Sequence, residues 1–116
     1  MLHIRPINNN DNFENLKDGL FYIALNNDEL LGYCKYKKQD DFVVIEEIND
    51  GGDVNLFDGL LRAVFNYVSE IKIDKAIISE TVDKDRLKAL FVPVDDKNCV
   101  NSITDFLYNC KKCKMC

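Results

Sequence analysis

Leu56-Phe57-Asp58-Gly59-Leu60-Leu61-Arg62-Ala63-Val64-Phe65-Asn66-Tyr67-Val68-Ser69-Glu70-Ile71 is the stretch on which the fold turns. Leu56, Phe57, Leu60, Leu61, Val64, Phe65, Val68 and Ile71 recur three and four positions apart, the period of one helix face, over about four turns. Such a stripe is core-facing: it buries itself against a second layer. Asp53 or Asn55 can cap the start, because a short oxygen-bearing side chain accepts from the open N–H groups of a first turn.

On either side of this helix the period changes. Before it, Phe42-Val43-Val44-Ile45 is a continuous apolar run, as in a strand covered on both faces, and the strand extends to Ile48. Asn49-Asp50-Gly51-Gly52-Asp53 makes the loop between them. After the helix, Ile73 to Ser79 reads as a short buried strand. Strand, helix and strand in this order form a crossover unit with parallel strands.

Further out the pattern is a meander. Leu2, Ile4 and Pro6 alternate as a first strand, at an edge because Pro6 has no N–H for a ladder. Asn8 to Asp11 offers a cap for a short helix carrying Phe13, Leu16 and Leu20. Phe21, Ile23 and Leu25 form a second strand. Asn26-Asn27-Asp28 turns the chain into a third, Leu30 to Tyr36. Downstream, Asp83 caps a helix with Leu87, Leu90 and Phe91, and Val92-Pro93-Val94 is extended. Ser102-x-x-Asp105 is a capping box for a last helix with Ile103, Phe106 and Leu107. The expected order is β-α-β-β-β-α-β-α-β-α, an α/β protein in the mixed-sheet (α+β) sense.

The chain has 116 residues, 47% hydrophobic and 30% charged, which suits one domain with its own core. We expect that domain at 1–109, with a cysteine-containing tail at 110–116. The net charge of -5 excludes a sequence-independent nucleic-acid binder, which needs a basic stripe. No apolar leader follows Met1, and no run approaches the ~20 residues that span a bilayer. Five cysteines, an odd number, suit free thiols in a reducing compartment. The expectation is a cytoplasmic protein that engages neither membrane nor nucleic acid.

The order of elements resembles the GNAT superfamily of N-acetyltransferases. Ala24 to Tyr33, with Gly32 after the turn, is similar to that family's second and third strands, and Phe42 to Ile48 to its fourth. Asp58 to Val68 is similar to its long helix, Lys75 to Ser79 to its fifth strand, and Leu87 to Phe91 to a stretch that usually ends in Gly-Phe. The resemblance covers roughly residues 2 to 94 and rests on pattern. It implies a GNAT-like fold with a shortened C-terminus and an acetyl-CoA cofactor between the fourth and fifth strands. Pyrophosphate would lie on the loop that opens the long helix, where unpaired N–H groups hold anions. On that reading Ile48, Asn49, Gly51, Gly52 and Asn55 bind the cofactor. The family's loop glycines fall on Asn55 and Phe57, so Gly51 and Gly52 would form a displaced nest. Asp50, Asp53 and Asp58 surround it.

The resemblance also implies a carboxylate base on the fourth strand, matched by Glu46 and Glu47. Strand alternation would send these two to opposite faces, one of them into the cleft. Where the family has a general-acid Tyr this chain has Arg86; Tyr67 and Tyr108 are the other phenols considered. Arg62 has Asp58 one turn before it as an ion-pair partner. Cys110-x-x-Cys113-x-x-Cys116 offers three thiols at metal-ligand spacing, with Cys99 or Cys34 as a fourth; free terminal thiols are the plainer reading, and no metal is assigned. His3 is assigned no role. Two functions remain open: an acetyl-CoA-dependent N-acyltransferase acting on a small-molecule amine, and a non-catalytic GNAT-fold binding protein, for which a homodimer is one arrangement.

Overall fold

The computed structural model describes residues 2–8, 11, 13, 16 and 19–108. Among these residues six strands form one sheet in sequence order: β1 (Leu2–Pro6), β2 (Leu20–Asn26), β3 (Glu29–Lys38), β4 (Val43–Asn49), β5 (Ala76–Ile78) and β6 (Cys99–Val100). All neighbours run antiparallel except β4 and β5, which are parallel. The parallel pair is joined by α1 (Val54–Glu70); α2 (Lys84–Ala89) and α3 (Ile103–Tyr108) follow β5 and β6. The class is α+β with a mixed sheet.

Helix α1 forms where its apolar stripe demands. Leu60, Leu61, Val64, Phe65 and Val68 are wholly buried, against Ala24, Cys34, Val43, Ile45 and Ile78 of the sheet. Asp53 caps its start, its carboxylate accepting from the Asn55 N–H. Its end is a Schellman motif. Lys72, at φ 73°, and Ile73 donate to the carbonyls of Ser69 and Val68, and Ile73 and Val68 are both buried. Helix α3 packs on α1 through Phe106, edge-on to Phe65 with ring centroids 5.8 Å apart. Asp74 anchors its start by accepting from the N–H and hydroxyl of Thr104 and from Ser102. Ser102 in turn accepts from the Asp105 N–H, as its spacing predicts.

The β2–β3 turn needs positive φ at both central residues, and Asn27 and Asp28 supply it at 53° and 74°. Gly32 is required for a different reason. A Cβ there would collide with the backbone carbonyl of Asn49 and press on Leu56, so only glycine lets β3 approach the end of β4. The opposite sheet face carries a smaller cluster of Leu16, Phe21, Ile23 and Leu25, joined by Ile7, Phe13, Leu30 and Tyr33.

Several expectations change. Leu20 belongs to β2 and not to a helix face; Leu16 is a core residue of the smaller cluster with Phe13 packed against it, and the rest of the expected short helix lies outside the described residues. The final strand is Cys99–Val100 and not Val92–Val94, which contributes one bridge from Val94 to Val100. Asp95 brings this about: its carboxylate accepts the N–H groups of Lys97 and Cys99, closing the turn that lays Cys99 beside β5. The run at β4 is covered fully on the α1 side alone, since Val44 is half-buried and its partner Ile77 is exposed. The Cys110, Cys113 and Cys116 tail lies outside the described residues.

Candidate functional site

Two features of β4 define the candidate site. The first is its pairing with β5, which runs from Val43 and Ala76 to Ile45 and Ile78 and stops. A last bond from the Ser79 N–H to the Ile45 carbonyl, 2.9 Å, marks the parting. Beyond it β4 continues on β3 to Asn49, while the chain after β5 turns away through residues 79–82 toward α2. This parting of the ladder is a wedge between β4 and the 79–82 turn, bridged by side chains.

The second feature is a bulge. On β3, Lys35 faces Glu47 and the next residue, Tyr36, faces Ile45, which leaves Glu46 as an extra residue in β4. Ile45 and Ile48, three apart, consequently both lie on the α1 face, sharing it with Tyr36 and Cys34. Regular alternation cannot do this, so the expectation that Glu46 and Glu47 occupy opposite faces fails at the bulge. The bulge also sits where the wedge begins, and the Glu46 carbonyl accepts from the Thr81 hydroxyl at 2.6 Å across the gap.

Glu47 is exposed and held. The Tyr33 hydroxyl, from β3, donates to its Oε2 at 2.9 Å. Burial, and then this bond to a carboxylate, push the Tyr33 phenol above its ordinary pKa, so it stays protonated as a donor. Lys35 stands directly opposite Glu47 in the ladder. Spacing gave no hint of Tyr33; knowing the register of the bulged β3–β4 pair would have found it.

The β4–α1 loop brings together the residues assigned to it. Asn49 ends β4, Gly51 and Gly52 have φ of 61° and 87°, and Asn55 lies in the first turn of α1. Their N–H groups are used within the loop: Gly51 donates to Asn49 Oδ1 (3.1 Å), Gly52 to Asp50 Oδ1 (2.8 Å) and Asn55 to Asp53 Oδ1 (2.9 Å). Asp50 Oδ2 pairs with Arg86 Nε of α2 at 2.9 Å. Arg86 therefore faces the loop, at the position where the resemblance supplies a phenol.

The other candidates lie elsewhere. Tyr67 packs with Tyr22 and Tyr36, ring centroids 6.2 and 6.3 Å away, and accepts from Lys38, which pairs with the first residue of β4. Tyr108 is exposed on α3, and His3 is exposed on β1. Arg62 pairs with Asp58 at 2.8 Å and stacks over Phe106. Cys34 is wholly buried, which drives its thiol pKa up and leaves it unfit as a metal ligand. Among the described residues no helix is long and apolar enough to cross a membrane.

No protein-family model matches the sequence, and no curated protein matches it. A solved structure does: a GNAT family acetyltransferase from Elizabethkingia anophelis with acetyl-CoA bound, at TM-score 0.63 and 16% identity, covering 76% of this chain and 71% of that one. The strand order, the parallel β4–β5 pair and this match together make the fold GNAT-like.

Proposed function

We infer that the protein is an acyl-CoA-dependent N-acyltransferase that moves an acetyl group to a small-molecule amine. One observation carries this: β4 parts from β5 at a bulge whose glutamates sit beside the opening. From Glu47 to Asn49, β4 has a ladder with β3 on one side and no strand on the other. Such an edge offers main-chain donors and acceptors to an extended, amide-bearing arm. The similar acetyltransferase was solved with acetyl-CoA, which supports the choice of cofactor.

Two features of the residues present suit the group, an unpaired strand edge and the open space at Gly52. The edge from Glu47 through Ile48 to Asn49 would hold its arm, and the loop from Asn49 to Asn55, with the open space at Gly52, its phosphates. Acyl-CoA when bound supplies an activated thioester carbonyl. Glu47, oriented by the Tyr33 hydroxyl, accepts the proton of an ammonium substrate and leaves a nucleophilic amine; Glu46 in the bulge is the alternative base. The rest is positioning, since holding amine and carbonyl in contact removes most of the entropic barrier. A negatively charged surface suits a cationic acceptor.

A second reading is favoured by a specific observation: the loop amides are already satisfied by Asn49, Asp50 and Asp53. On it the chain keeps the fold for binding without chemistry. A ¹H–¹⁵N titration with acetyl-CoA separates the two. Shifts confined to 45–56 and 76–86, followed by CoA release with an amine panel that Glu47→Gln reduces by about a hundredfold, support the enzyme. No shift at millimolar ligand sinks it.

A further inference from the structure

Three ion pairs join described residues, and two of them stay within one local segment: Arg5 with Asp11 and Arg62 with Asp58. Arg86 with Asp50 is the one that crosses the wedge, from α2 to the loop after β4. It lies outward of the Thr81–Glu46 bond, so the two limbs that part after Ile45 and Ile78 are tied twice. The tie is partly sheltered, with side chains 28% and 16% exposed, yet both partners remain reachable from solvent.

Asp50 does more than pair with Arg86. One carboxylate oxygen accepts the Gly52 N–H and the other the guanidinium. A main-chain donor on one limb and a forked cation on the other thus converge on one anionic group. A guanidinium fork matches two phosphate oxygens as well as it matches a carboxylate, and a diphosphate brings more charge than a single Asp. We propose that Arg86 is the phosphate-binding cation of the cleft and that Asp50 is its resident surrogate, displaced when the diphosphate of an acyl-CoA binds. This rests on the acyl-CoA reading above. It gives the acidic loop a purpose: Asp50 ties the two limbs and keeps Arg86 engaged until a ligand with greater anionic charge arrives. The displaced carboxylate moves to solvent, and the Gly52 N–H is released with Arg86 for the incoming oxygens.

The test compares CoA binding to the intact chain and to Asp50→Asn and Arg86→Gln, by calorimetry at fixed salt. The Asp50→Asn side chain keeps an oxygen for the Gly52 N–H, so the turn persists while the ion pair is lost. The expected result is Asp50→Asn binding CoA about five- to tenfold tighter, the size of effect that a partly sheltered pair exerts. Arg86→Gln is expected to bind at least about tenfold weaker, although it breaks the same tie, because the phosphate loses its charged partner. Arg86→Lys, with charge but no fork, falls between. Tighter binding by Arg86→Gln overturns the assignment, since Arg86 would then be a tie alone. Equal affinity in all the proteins overturns it too and leaves the acyl-CoA reading standing. Absence of CoA binding in every one of them overturns both. Amide spectra unchanged outside 45–56 and 79–92 establish that the variants are folded.

Discussion

The β4–β5 pair is two structures built on the same two strands. In its first half Val43, Val44 and Ile45 face Ala76, Ile77 and Ile78 in parallel register, and on the α1 side these residues are 0 to 1% exposed. In its second half Glu46, Glu47, Ile48 and Asn49 have no strand beside them on that edge, because the chain after Ile78 enters a turn closed by the Val82 N–H on the Ser79 carbonyl. The change takes place over a single residue. β-Branched apolar side chains pack well on a pleated surface and hold strands together; charged and hydroxyl side chains gain more from water and from each other. The bulge at Glu46 finishes the separation, because it bends β4 just where its burial ends. The closed half contributes buried apolar contact to the core, and the open half leaves β4 with an unpaired edge.

The sharpest way to break this comparison is to damage the closed half. Ile45→Ala removes a wholly buried side chain at the centre of the larger core, and we expect a loss of about 3 kcal/mol in urea unfolding. The wedge should keep its shape until global unfolding. A loss under about 1 kcal/mol would mean that the core closes over the gap, and the contrast between a packed half and an open one would fail.

Gly32→Ala tests the far end of the open half, since its methyl would meet the Asn49 carbonyl. Backbone is the obstacle and cannot rotate away, so about 2 kcal/mol should be lost, with amide shifts concentrated at Asn49 to Leu56. A neutral result would show that β4's end is free to move.

How far each half could be read from sequence follows from the same physics. Helix α1 and the run Val43–Ile45 are periodic or continuous in apolar residues, so burial writes them into the sequence directly. Asp53, Asp83 and Ser102 cap the helices that their positions indicate, because a cap depends on one local bond. The open half depends on register and on contacts between distant segments. One extra residue at Glu46 reverses which side chains share a face, and no composition rule marks it. Tyr33 beside Glu47 and Thr81 on the Glu46 carbonyl are separated by 14 and 35 positions, and Arg86 is as remote from Asp50, so local patterns could not announce them. The places of the glutamates and the loop residues in the fold were legible because β4 and the helix start were. Their partners were not. β6 was misplaced for a related reason: the Asp95 turn that makes Cys99 and Val100 a strand is a side-chain device, and Val92–Val94 has the more strand-like composition.

Thr81→Val probes the open half from within. It keeps the shape and removes the hydroxyl that reaches the Glu46 carbonyl, in a place water can reach. We expect a loss of about 0.5–1 kcal/mol, the net worth of one such bond. Amide exchange should quicken at 79–82 and stay unchanged at 43–45, which would show the two halves opening independently.

The smallest effect should be a gain, and it comes from the limb that carries Arg86. Helix α2 ends as α1 does: Phe91 and Val92 donate to the carbonyls of Lys88 and Leu87, with Val92 and Leu87 buried. That motif needs a left-handed residue, and Phe91 takes the position at φ 60° with 76% of its surface exposed. A phenylalanine there carries the backbone strain of a side chain in the left-handed region and repays little of it by packing. Phe91→Gly should therefore stabilise the protein by about 0.5 kcal/mol, the relief of strain less the greater freedom of glycine in the unfolded chain. Thermal unfolding measures the gain. A loss in its place would mean that the exposed ring supports α2 through contacts made only in solution, and that the limb of the wedge owes its position to Phe91 as well as to Arg86.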